Sequence, residues 1–357
     1  MLAQYPPALQ RHLREIAAAL GEVVRPTALL LLGSAARGEL SYLRHPDGRL
    51  ELFSDYEFLA VFPSYPTRFQ RRAIQTLAEQ WQERIANPNP LFHIDIITRG
   101  RRHLAAMPPL IFTFESKQNG LPLHGEDVRP QIPDVTLQNL DFRNTHEILY
   151  KRLWAILLHL PKRFVLGQAS EAERRVAGYV LCRNALDLTT VLLPHEGILL
   201  PTYRQRVEYL TDHYPDLELS KTFGPDLPGF LQRCLARRRD LDFSGVNLHE
   251  LYATVTDSLR QALQMLLPTA DPVVQALPHH SRRIFNEWPI SRGEWLNLVR
   301  LLISIAQHQG LAQARRWLRT PKKGWLTVGL LAMHESLLAW FAGRPVRATE
   351  WLERSQE

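Results

Sequence analysis

Two pieces of one stretch decide the fold: LLLLGSAARGEL (29–40) and FSDYEFLAVF (53–62). The first is an apolar run broken by Gly33-Ser34. A short, fully apolar strand over 28–32 would run into a turn and a short helix over 34–40. The second reads as another strand, with Asp55 and Glu57 at its mouth. Residues i and i+2 of a strand point to one face, so the two carboxylates project together and Ser54 and Tyr56 project to the other side. Leu59 and Val61 continue the acidic face, which is otherwise apolar.

Two carboxylates a few ångström apart repel unless a cation compensates them. Hard divalent ions such as Mg²⁺ do so through oxygen ligands. Asp95 is a third acid inside an apolar run, FHIDII (92–97). Should its strand lie beside 53–62, three carboxylates converge, a set able to hold two Mg²⁺ ions for in-line transfer at phosphorus. Gly33 lets backbone approach a phosphate chain, Ser34 adds a hydroxyl, and helix N-terminal N–H groups attract anions. Arg37 is either a phosphate fork or the ion-pair partner of Glu39 or Asp55. His93 shares the face of Asp95, as a packed histidine or as a group facing substrate. Asp95 alternatively pairs with Arg99 or Arg101.

Working outward, helix and strand patterns alternate over about 8–135: helices over 8–20 and 68–86, and a strand over 91–98 ended by Arg99-Gly100. His45-Pro46-Asp47-Gly48 reads as a turn that pairs 42–43 with 49–53 as a hairpin. Beyond about 137 the strand signals stop. Helical periodicity marks 149–160, 171–193, 203–214 and 248–267, then 295–308, 311–318 and 326–341, with 267–281 reading as a linker. The expected fold is an α/β N-terminal domain, a mixed sheet with flanking helices, followed by an all-α region. The domains would be 1–135, 136–268 and 269–357.

Gly33-Ser34, Arg37-Gly38-Glu39, Ser54-Asp55-Tyr56-Glu57 and Asp95 together resemble the DNA polymerase beta-like nucleotidyltransferase superfamily. Glu at the second acidic position is similar to the kanamycin nucleotidyltransferases, and Gly-Ser-x-x-Arg-Gly-Glu to small bacterial members. The resemblance covers residues 25–130, about a third of the chain. It implies that Gly33 and Ser34 bind the β- and γ-phosphates, that Asp55 and Glu57 bind Mg²⁺, and that Asp95 completes the site and activates or orients an acceptor hydroxyl. Twenty residues separate Ser34 from Asp55, a longer interval than the family's usual one. The insertion at 42–52 is the place to look for acceptor selection.

The implied activity is Mg²⁺-dependent transfer of a nucleoside monophosphate from a nucleoside triphosphate, with ATP the expected donor. The acceptor would be a hydroxyl of a small, antibiotic-like molecule, and pyrophosphate would leave. A second reading sends the nucleotide to RNA or to a protein side chain. A third, an inactive nucleotide-binding module, requires a missing acid, and none of the three is missing. The second reading draws on residues 271–357. They hold twelve Lys/Arg against seven Asp/Glu and six of the eight tryptophans. The densest run is RRWLRTPKKGW (315–325), with Arg315, Arg316 and Lys322 as candidate phosphate contacts. A cationic helix end explains the same run without nucleic acid.

Lys151, Arg152 and Arg183 are candidate phosphate or acceptor contacts on helices, or else solvated surface. Glu171 and Glu173 have no aligned role. Cys182 and Cys234 lack metal-ligand spacing and read as buried free thiols. No apolar run reaches the ~18 residues of a membrane span, and the N-terminus lacks a signal-peptide core. A cytoplasmic protein with no membrane partner is expected.

Overall fold

Strand β1 (Ala28–Leu32) is buried at every position, which requires apolar neighbours on both faces and a strand on each side. A computed structural model, which describes residues 2–267, 271–273, 276 and 322–343, supplies both. The chain forms two compact units, residues 1–144 with 159–246, and residues 145–158 with 247–357.

In the first unit, β1 pairs antiparallel with β4 (Tyr56–Phe62) on one side and with β6 (Leu121–Gly125) on the other. Strand β5 (Ile94–Gly100) lies parallel to β4 at the far edge. A parallel pair needs a crossover, and α3 (Arg68–Ile85) makes it. Thr67 and Gln70 start α3 with a reciprocal capping box, and Ala86 ends it in the left-handed region. Between β1 and β4 the expected hairpin forms from β2 (Tyr42–Arg44) and β3 (Leu50–Leu52). Gly48, with φ +83°, turns it.

The two-residue period divides the sheet into two cores. Leu29, Leu31, Tyr56, Phe58, Ala60 and Phe62 face α1 (Pro7–Val24) and α3, meeting Leu13, Ile16, Leu20, Ile74 and Trp81. Leu30, Leu32, Leu59 and Val61 face the other way, onto Leu104, Met107, Val128 and Ile132. Leu30 and Leu59 are fully buried, and truncating either to Ala would cost about 2–5 kcal/mol. Asp55 and Glu57 extend this second face beyond its apolar part.

The helices α7 (Glu171–His195), α8 (Tyr203–His213) and α9 (Leu227–Asp240) belong to the same unit. The expected boundary at 135/136 does not coincide with this division, and the reason is polar as well as apolar. Ser54 Oγ meets Tyr179 Oη of α7 at 3.0 Å, beneath a Phe53–Tyr179 ring contact of 5.5 Å. Arg238 Nη1 of α9 donates to the Glu39 carbonyl at 2.8 Å. The Arg204 N–H of α8 donates to Glu39 Oε1 at 3.0 Å. Of the described helices, α7 alone has the length and hydropathy of a membrane span, contrary to the expectation that none would. In the fold, 94% of that apolar window is buried, and Cys182 and Cys234 are buried free thiols.

In the second unit, part of α5 (Arg143–His159), α10 (Leu248–Leu266) and α11 (Lys322–Phe341) are described. Tyr252 Oη donates to His334 Nδ1 at 2.5 Å, and His334 Nε2 donates to the Leu153 carbonyl at 3.0 Å. A single buried imidazole thereby ties three helices. The expected linker at 277–281, the helices at 295–308 and 311–318, and the basic residues Arg315 and Arg316 lie outside the described residues, as does the side chain of Lys322.

Candidate active site

The chain leaves β1 at Leu32 and enters α2 (Gly33–Arg37) through Gly33, whose φ is +61°. A Cβ there would lie 1.5 Å from Glu57 Oε2. Glycine is therefore required both by the backbone conformation and by the carboxylate resting against it. Gly38, at φ +77°, ends α2 and donates its N–H to the Ser34 carbonyl. The Ser34 hydroxyl has no hydrogen-bond partner among the described residues.

Strand register brings the sequence-distant parts together. Leu32 stands opposite Glu57 on β4, and Glu57 stands opposite Asp95 on β5. Gly33-Ser34, Glu57 and Asp95 thus form one row across three adjacent strands. Asp55 sits just before β4, where the Tyr56 N–H donates to the His93 carbonyl at 3.1 Å. The expected parity holds: Ser54 and Tyr56 are buried on the opposite side, Ser54 Oγ accepting the Ser41 N–H and Tyr56 packing edge-on to Phe92.

The three acids differ in environment. Glu57 is half-buried and has no hydrogen-bond or ion-pair partner among the described residues. Burial raises its pKa above the ordinary carboxylate range, opposed by the charges of Arg37 and Arg183. Asp55 Oδ1 meets His93 Nδ1 at 2.7 Å and also accepts the His93 backbone N–H at 3.2 Å. Asp95, whose side chain is 55% exposed, meets His93 Nε2 at 2.9 Å. His93 is pushed up to about 10 by hydrogen bonds to Asp55 and Asp95, and Asp95 is held low by His93. The partner of Asp95 is therefore His93; Arg101 pairs with Glu126 instead.

Arg37 does not project as a phosphate fork. Its Nε binds Glu39 at 2.9 Å, and its Nη1 binds Glu115 of α4 (Ile111–Asn119) at 2.8 Å. Glu115 also holds Arg206 at 2.5 Å. The Tyr203 ring lies under Arg37, Arg206 and Arg238 at 5.3–5.8 Å. This is a buried structural network, and the pairing with Glu39 is the reading of Arg37 that its geometry matches. Glu173 caps α7 through Ser170, and Glu171 pairs with Arg175. Lys151 pairs with Glu147.

Arg183 is the basic candidate on the acid side. It is partly buried on α7 and has no hydrogen-bond or ion-pair partner among the described residues. Burial would lower its pKa, but Tyr179, Asp55, Tyr203 and Asp187 outweigh burial and raise it. A lone Arg in the middle of a long apolar helix was a readable signal. The His93 bridge was half readable: its shared face with Asp95 follows from parity, whereas its contact with Asp55 follows only from strand pairing. Glu115 gave no signal in its local sequence.

Among the described residues no three His, Cys, Asp or Glu side chains already surround a common metal position. His93 lies between Asp55 and Asp95, and Glu57 rests against Gly33. The donor chemistry nonetheless fits a hard divalent ion: three carboxylates at one end of adjacent strands, one of them half-buried and unpartnered. No protein-family model matches this chain, and no curated protein matches it.

Proposed function

We propose that the chain is a divalent-metal-dependent nucleotidyltransferase that moves a nucleoside monophosphate from a nucleoside triphosphate to a hydroxyl of a small molecule, within the cytoplasm. The observation that carries this reading is the row Leu32–Glu57–Asp95. It places a glycine-serine turn, suited to a phosphate chain, beside carboxylates suited to its metal counter-ions.

In this reading Gly33 and Ser34 receive the terminal phosphates, the backbone approaching them where no Cβ intervenes. Asp55, Glu57 and Asp95 hold Mg²⁺, which supplies neutralisation of phosphate charge when bound. The acceptor hydroxyl gives its proton to Asp95 as its oxygen forms a bond to the α-phosphorus, the bond to the bridging oxygen breaks, and pyrophosphate leaves with that electron pair. Asp95 is the most exposed of the acids and faces an incoming hydroxyl. Arg183 adds positive charge on the side of Asp55 and Glu57. Rate enhancement here comes from positioning and charge stabilisation. Incubation with each α-labelled nucleoside triphosphate, Mg²⁺ and a cell extract tests the reading. Label entering small molecules supports it; label entering RNA or protein moves the acceptor to another class.

A further inference from the structure

The sheet of the first unit has a second end. Strand β4 runs from the acids at its start to Phe62, a span of roughly 20 Å at the usual rise of a strand. Beyond Phe62 lie the loop before α3, the first turns of α3 and a short 3₁₀ turn over Arg101–His103. Residues 58–78 hold Arg68, Arg71 and Arg72, residues 96–114 hold Arg99, Arg101 and Arg102, and neither segment contains an Asp or Glu. Contacts join the segments. The Tyr65 ring stands edge-on to His103 at 6.0 Å and carries the Arg71 guanidinium at 5.5 Å. Gln70 Nε2 donates to the Val24 carbonyl at 3.4 Å, which brings in Arg25. Arg101 pairs with Glu126. Arg25, Arg68, Arg71, Arg72 and Arg102 are exposed, and their side chains pair with no acid among the described residues.

Fold stability does not account for this arrangement. The positive end of a helix dipole favours acids, whereas α3 has none in its first turn and opens Arg-Phe-Gln-Arg-Arg. Arg68 and Arg72 stand four apart on one helix face, so they also repel. Phe69 beside them is 86% exposed and Tyr65 is 50% exposed, aromatic area left in water. Exposed rings among uncompensated guanidiniums match a polymer that offers phosphates and open base faces together. We infer that this end of the sheet binds a single-stranded nucleic acid, the arginines meeting its phosphates and Phe69 and Tyr65 stacking on unpaired bases. A duplex conceals those base faces, and an anionic membrane has none. The surface lies at the opposite end of β4 from the acids and stands independently of the transferase reading.

The test is fluorescence anisotropy of labelled single-stranded RNA and DNA of about 12 nucleotides, titrated with the full chain at a series of salt concentrations beside a duplex of the same length. The wild type is expected to bind single strands more tightly than the duplex. Binding of either polymer supports the inference, and their ratio names the preferred one. The triple variant Arg68→Gln/Arg71→Gln/Arg72→Gln is expected to lose at least about tenfold in affinity and to lower the salt slope by about 2, three phosphate contacts at about 0.7 each. Phe69→Ala is expected to lose about fivefold or more while keeping the wild-type salt slope, the mark of a stacking contact. Each substitution is at an exposed position, and a melting temperature no lower than that of the wild type shows the fold intact. Variants that bind like the wild type overturn the inference, because the strand is then held elsewhere on the chain. So does a preference for the duplex, or a wild type that binds phosphatidylserine vesicles and no single strand.

Discussion

Glu57 on β4 lies in register with Asp95 on β5, and its other cross-strand neighbour is Leu32, the residue before Gly33. Three segments far apart in sequence therefore meet in one line, with consequences for the stability and the proposed activity of several residues.

Gly33 is the first. Replacing it with Ala forces a side chain into positive φ and onto the Glu57 carboxylate. Strain of this kind costs about 1–3 kcal/mol. Gly33→Ala is expected to lower the denaturation midpoint by that amount and to lose nucleotide transfer, because Glu57 must move. Unchanged stability together with full activity would contradict the placement.

Glu115 holds two buried guanidiniums, those of Arg37 and Arg206. Removing one partner of a buried ion pair costs about 3–5 kcal/mol, since the other charges remain desolvated. Glu115→Gln is expected to show a loss of that order in urea unfolding. Arg37→Ala is expected to destabilise similarly. A variant of Arg37 that stays stable but raises KM for the triphosphate would return it to the phosphate site.

Glu57 supplies a pH-dependent prediction. Its folded-state pKa is raised, by burial first. A raised pKa gives stability that is full below the unfolded value, about 4.3, and lost as pH rises through the folded value. Glu57→Gln is therefore expected to equal the wild type in stability at low pH and to exceed it above the ordinary carboxylate range, while abolishing transfer. Denaturation at a series of pH values reads this directly.

His334 behaves in the opposite sense. Burial lowers its pKa to about 4, while an unfolded histidine titrates near about 6.5. Stability from the neutral ring is full above about 6.5 and is lost as pH falls toward 4, up to about 3 kcal/mol. His334→Gln is expected to flatten the pH dependence of the unit formed by α5, α10 and α11 over that window. An unchanged slope would contradict the Tyr252–His334–Leu153 tie.

The central strands were legible in the sequence because their signals are local. Four consecutive leucines cannot be solvated, and the alternation from Asp55 to Val61 assigns each residue to a face. The hairpin was legible through Pro46-Asp47-Gly48. Strand β6 was not: LPLHG is short and carries Pro122, tolerated because β6 is an edge strand. The site's acids and its Gly-Ser turn were legible by residue type, but their alignment is a property of register. The sequence leaves Arg37 open between a phosphate fork and an ion pair, because its partner Glu115 lies 78 positions away. The association of α7–α9 with the N-terminal part of the chain depends on still more distant contacts, such as Arg238 with Glu39, 199 positions apart, which periodicity does not reveal.

The most direct test of the account is Mg²⁺-dependent transfer of α-labelled nucleoside monophosphate by the wild type, Asp55→Asn and Asp95→Asn proteins, with pyrophosphate release followed in parallel. The account predicts label transfer with stoichiometric pyrophosphate from the wild type and a loss of about 10²–10³-fold in each variant, the scale for removing one group that stabilises transition-state charge. Transfer that survives in both variants, or a wild-type protein that neither transfers label nor binds Mg²⁺-nucleotide by calorimetry, would contradict it.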